Sequence, residues 1–105
     1  MQKLILNASR TDRTPLNSIL KNGKAPGYAI PQKIVNNINP GDTVILIDKR
    51  KKLMVEGTII KLVDTRRKTT QGLHRYDVFI NNLKAVPYKS MPINRWGVGY
   101  VFKKT

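Results

Sequence analysis

The chain has 105 residues, 40% of them hydrophobic, which is material for one compact core and not for two, so a single domain spanning 1–105 is expected. Twenty Lys and Arg stand against six Asp and Glu, a formal net charge of +14 with a pI near 10.5, and since a charge of roughly 2 to 8 already keeps a small domain soluble, the excess points to polyanionic partners. The absence of cysteine excludes disulfides, a thiolate nucleophile and Cys-ligated zinc, while the lack of a long apolar run or a signal-like start leads us to expect an intracellular, cytoplasmic protein with no membrane partner.

Gln2–Asn7 (QKLILN) is apolar enough for a buried strand, and Ala8–Arg13 is polar and loop-like. Thr14 before Pro15 suits a helix start, since Thr caps exposed amides and Pro fits the first helical position. Leu16, Ile19 and Leu20 follow at helical spacing and Asn22-Gly23 stops the run, which predicts a short helix over 15–22. Ala25–Ile30 contains Pro26-Gly27-Tyr28 and reads as a loop or extended connection. Pro31 then opens a second short helix with Ile34, Val35 and Ile38 inward, closed by the turn Asn39-Pro40-Gly41-Asp42.

Beyond that turn the period is that of strands: Thr43–Asp48, Leu53–Asp64 after a Lys49-Arg50-Lys51-Lys52 connection, Leu73–Asn81, and a last strand over Arg95–Lys103. Gly57 marks a bulge or sharp bend. Pro87 and Pro92 keep Leu83–Ile93 from being a regular central strand, with at most brief edge pairing at Ala85-Val86. Tyr76, Phe79, Tyr100 and Phe102 are expected inward at alternate positions. The expected fold is α+β, mainly β: a small curved, barrel-like sheet of about five or six strands with two short helices after the first.

Nothing in this pattern supplies catalysis. His74 is the sole histidine, the six acids form no recognisable constellation, and Asp42 belongs to its own turn. A non-enzymatic protein without cofactor or metal is therefore expected. His74 itself has two readings, an ordinary exposed strand residue or a donor to a base or phosphate.

Binding features are easier to find. Lys49, Arg50, Lys51 and Lys52 form one acid-free cluster and Arg66, Arg67 and Lys68 another; both are expected in connections at strand ends, where such tips straddle a phosphate backbone. Arg75 and Arg95 join them as candidate contacts. Residues 13–41 and 78–105 contain no acid at all. Tyr28, Tyr88 and Trp96 sit in expected loops close to Pro, Gly or Arg, the setting in which aromatic rings stack on bases, although a lone Trp also suits a core.

The first strand, the Gly-Tyr connection, the helix from Pro31 to Ile38 running into Asn39-Pro40-Gly41-Asp42-Thr43-Val44-Ile45-Leu46, the strand with Gly57 and Arg75-Tyr76-Asp77-Val78-Phe79-Ile80 together resemble the PUA-like superfamily, its EVE and YTH-like members in particular. The resemblance implies a small curved barrel that binds RNA or DNA and holds a base, in some members a modified one, in an aromatic pocket. It implies Tyr28, Tyr88 and Trp96 as pocket walls, with Asn7 and Ser9 reading the edge of the base. A local stretch, Ile30-Pro31 through Ile34-Val35 and Ile38 to Pro40-Gly41-Asp42 and Val44, is also similar to the core of AbrB-type DNA-binding domains, which implies a dimeric regulator. A basic adaptor docking on an acidic protein or a ribonucleoprotein is a further alternative.

Overall fold

A computed structural model of the chain describes residues 2–8, 16–91, 93 and 97–101. Eight elements follow in the order β1 (Lys3–Asn7), α1 (Leu16–Asn22), β2 (Lys24–Ala29), α2 (Gln32–Val35), β3 (Thr43–Asp48), β4 (Leu53–Lys68), β5 (His74–Val86) and β6 (Val98–Val101). All six strands belong to one sheet in the order β2-β5-β4-β3-β1-β6. The sheet curls into a half-barrel, so the fold is α+β and mainly β, as the sequence leads one to expect.

The centre of the sheet follows from the two most apolar segments. β1 pairs in parallel with β3, Leu4 opposite Val44 and Leu6 opposite Leu46, while the other neighbours in the sheet pair antiparallel. Strands covered on both faces read as continuous apolar runs rather than alternating ones, and β1 and β3 do so. Leu4, Leu6, Val44 and Leu46 enter the larger core. Ile5, Ile45 and Ile47 point the other way and join Met54 in a second cluster. The larger core fills the hollow of the curl, where Leu16 and Ile19 of α1 meet Tyr28, Ile30, Ile38, Val55, Ile59, Tyr76, Val78, Ile80 and Val98. Each fully buried Leu or Ile contributes about 1.5–3 kcal/mol of transfer free energy.

The short helices are set by their ends. The Gly23 N–H donates to the Ile19 carbonyl at 2.8 Å to close α1, and Thr14 and Pro15, its expected start, lie outside the described residues. Pro31 precedes α2, its carbonyl accepting the N–H groups of Ile34 at 2.9 Å and Val35 at 3.1 Å. In the following turn Asp42 Oδ2 accepts the Asn39 N–H at 2.8 Å, the local role expected of this carboxylate.

β4 makes the curl. Its register against β5 shifts at three places, between Glu56 and Thr58, where β5 carries the extra residue, and between Ile59 and Lys61 and between Asp64 and Lys68, where β4 does; each excess bends and twists its strand. The first shift falls at Gly57, where a bulge or sharp bend is expected, with the extra residue on β5 opposite it. A Cβ there would stand 2.6 Å from Ile80 Cγ2 and 2.9 Å from Leu83 Cδ2, so only glycine lets β5 approach so closely.

Four expectations need correction. Ala25–Ile30 is not a loop: most of it belongs to β2, an edge strand whose irregularity lies between Ala25 and Tyr28 and leaves room for Pro26. β4 continues past Asp64 to Lys68, because its bulges absorb the charged residues within the ladder. β5 runs through Asn81 and Leu83 to Val86 as one strand, longer than expected; its Ala85-Val86 end does pair at an edge, against β4 alone, since β2 reaches only residues 75–79, and Pro87 ends the strand where no further ladder bond is required. Phe79 faces outward, since Tyr76, Val78 and Ile80 share the inward side and a residue three positions from Tyr76 cannot join them. The last strand is Val98–Val101; residues 94–96 and 102–105 of the expected span lie outside the described residues.

Candidate nucleic-acid interface

The expected aromatic pocket does not assemble from the described residues. Tyr28 is 8% exposed in β2 and its hydroxyl donates to the Asn7 carbonyl at 2.8 Å. Tyr88 is half-buried against Ile5, Ile45, Ile47 and Met54. Those side chains lie on the face of β1 and β3 opposite to the core that holds Tyr28, so the two rings are on different sides of the sheet and cannot wall one cavity. Asn7 is half-buried at the end of β1, its backbone tied to Tyr28 and Gly97. Ser9, Arg95 and Trp96 lie outside the described residues.

The two basic clusters are separated by the length of β4. Lys49–Lys52 form the β3–β4 turn, where Asp48 Oδ1 accepts the N–H groups of Arg50 at 3.0 Å and Lys51 at 3.1 Å. Asp48 is 7% exposed, so the turn is anchored from below while the basic side chains stay outside. Arg66, Arg67 and Lys68 are not in a connection; they close the sixteen-residue β4 at the end far from Leu53. Arg66 holds a left-handed φ of 65°, which costs about 1–2 kcal/mol in a residue with a Cβ. The Asp64 carboxylate offsets this by accepting the Arg66 N–H at 2.8 Å.

On its other oxygen Asp64 accepts from His74 Nδ1 at 2.9 Å, both side chains being about 40% exposed. The Arg66 N–H, as the largest influence, holds Asp64 below the ordinary carboxyl range; burial, next in size, pushes the other way, and the His74 ring and the Arg66 charge add to the lowering. Burial, and after it the Asp64 charge, push the neighbouring Tyr76 phenol upward. On this open rim Asp64 links the Arg66 backbone in β4 to His74 at the start of β5. Among the described residues no three His, Asp or Glu come together as a metal-ligand set.

A different arrangement emerges on the outer face of β2, β5 and β4. In register, Lys24 lies opposite Phe79 and Phe79 opposite Lys61, so a ring on the middle strand is flanked by a lysine from each side. Their ammonium nitrogens stand 6.0 Å and 4.8 Å from the ring centroid. Further along, Arg75 donates from a terminal guanidinium nitrogen to the Gly27 carbonyl at 2.8 Å, and Asp77 Oδ1 accepts the Gly27 N–H at 2.9 Å. Arg67 crosses the same spot: a Cβ on Gly27 would lie 3.8 Å from its guanidinium. Val63, opposite Asp77, adds exposed apolar surface between Lys61 and the arginines.

The electrostatics of this face are one-sided. The face carries Lys24, Lys61, Arg67 and Arg75 against one carboxylate, Asp77, and none of the four has a carboxylate of the described residues within 4 Å; among those residues the ion pair is His74 with Asp64. Arg67 and Arg75 are legible as candidate cations in the sequence, whereas no motif there joins Lys24, Lys61 and Phe79. The inward parity of Tyr76, Val78 and Ile80 is the signal that turns Phe79 outward.

No protein-family model, curated protein or solved structure matches the chain. No helix of the described residues is long and apolar enough to cross a membrane.

Proposed function

We propose that this protein is a non-enzymatic nucleic-acid-binding module of PUA-like type that contacts the phosphate backbone through the outer face of β2, β5 and β4, with the Lys49–Lys52 turn as an additional contact. The observation that carries this reading is an outer face with two lysines over an outward Phe79 and two arginines further along at Gly27, none of the four within 4 Å of a carboxylate of the described residues. Surface cations that serve stability alone gain by pairing with acids, and a row left unpaired raises the local potential that attracts polyanions. The formal charge of +14 extends the same field over the rest of the surface. The curled, mainly β sheet supports the PUA-like resemblance; the family's aromatic pocket drops out of the reading because Tyr28 and Tyr88 lie on opposite faces.

Titration of labelled RNA and DNA, single-stranded and duplex, over a salt series tests the reading. Affinity is expected to fall linearly with salt on a double-logarithmic plot as condensed counterions are released. Absent binding at low salt, or binding indifferent to salt, overturns it.

A further inference from the structure

We infer that the Phe79 face takes single-stranded rather than duplex nucleic acid, with one base stacked on the Phe79 ring and the flanking phosphates on Lys24, Lys61, Arg67 and Arg75. This rests on the nucleic-acid reading above and adds strand state to it.

A partly exposed ring on the middle strand of three offers a ligand a flat apolar surface. A duplex keeps its base faces stacked inside and presents phosphates and groove edges, for which such a surface has no use; a single strand presents the base faces themselves. Phe79 and the exposed Val63 are the apolar part of this face, and cations from the neighbouring strands frame them. Strands about 4.8 Å apart put the Lys24 and Lys61 backbones about 10 Å from each other across Phe79, a strip one nucleic-acid chain wide.

The lysines over the ring do not compete with this use. An exposed ammonium is held weakly by an aromatic face, and a stacked base is held more firmly. An arriving base therefore displaces the ammonium, and the flexible lysine stem carries the charge to the adjoining phosphate. The arginines are better fixed. Arg75 is pinned to the Gly27 carbonyl at 2.8 Å and keeps its remaining N–H groups for phosphate oxygens. Beside it the Arg67 guanidinium lies within van der Waals reach of a Cβ placed on Gly27. Arg75 lies four positions before Phe79 in β5, about 13 Å along the strand, so stacking and phosphate contact address different nucleotides of one chain.

The test uses the full chain with fluorescein-labelled oligo-U RNA, oligo-dT and DNA and RNA duplexes of the same length, the RNA and DNA arms separating the two chemistries that could supply a single strand. Phe79→Leu keeps apolar bulk and loses the flat face, and Phe79→Trp keeps a flat face and reports on stacking. Single strands are expected to bind more tightly than duplexes, Phe79→Leu to weaken single-strand binding about tenfold with duplex binding changed less than about twofold, and Phe79→Trp to retain affinity with its emission quenched by oligo-dT. If Phe79→Leu lowers both strand states alike or neither, or the Phe79→Trp emission is untouched on binding, the single-strand inference fails while the nucleic-acid reading stands. If the unmodified protein binds none of the probes at low salt, that reading fails as well.

Discussion

The Tyr28 hydroxyl donates to the Asn7 carbonyl at 2.8 Å, joining two strands that stand four places apart in the sheet order. No ladder links β2 to β1, so the contact exists only because the sheet curls back on itself, and it fastens the open side of the half-barrel. Tyr28→Phe removes the donor and leaves the ring. Its expected cost is about 1 kcal/mol, read as a lower midpoint in urea. Affinity for nucleic acid is expected to stay unchanged, which separates a buried fastening from a base-stacking wall.

Gly57→Ala places a methyl against Ile80 and Leu83 where β4 and β5 are closest. Backbone as well as side chain opposes it, since the Asn81 carbonyl oxygen lies 3.1 Å from the same point. A loss of about 1–3 kcal/mol is expected, measured by chemical denaturation.

Lys24→Gln with Lys61→Gln tests the charge on the outer face without altering the core. If both lysines meet phosphates, the slope of log affinity against log salt shrinks by about 1.4 for a single strand, about 0.7 for each phosphate no longer neutralised. The matching control is Lys84→Gln, an exposed residue opposite Glu56; its slope is expected to be that of the parent protein.

Asp64 gives a pH dependence of known sign. Its folded-state pKa lies below the ordinary 3.8, so the folded protein binds fewer protons than the unfolded chain in that window and stability falls as pH drops through 3.8 and below. Asp64→Asn removes this part of the acid loss. Comparing denaturation midpoints near neutrality and in acid, the variant is expected to lose less on acidification than its parent.

How far the fold is legible in the residues depends on whether a local signal settles the question. β3 is found over Thr43–Asp48 as expected, because the Pro40-Gly41-Asp42 turn and the Asp48 carboxylate define its two ends. β4 and β5 run longer than expected, because Arg66–Lys68 reads as a connection and Pro87 as a bar to a regular strand, whereas the ladder takes up both stretches through register shifts, with Arg66 and Asn82 at positive φ. The site is less legible. Its cations and aromatic rings are visible, but Lys24, Phe79 and Lys61 meet through a register spanning three strands, and Tyr28 and Tyr88 part through the two-sided burial of β1 and β3. Neither relation has a local signature.

The position of β1 between β3 and β6 also bears on how the chain reaches this state. As the polypeptide leaves the ribosome, Leu4, Ile5 and Leu6 emerge well before Val98–Val101, which must follow before their second flank is covered. Such late closure of an early strand slows folding and prolongs the exposure of an apolar edge. A nascent chain arrested before β6 should therefore engage a chaperone through the very segment that becomes the best-buried strand of the finished protein.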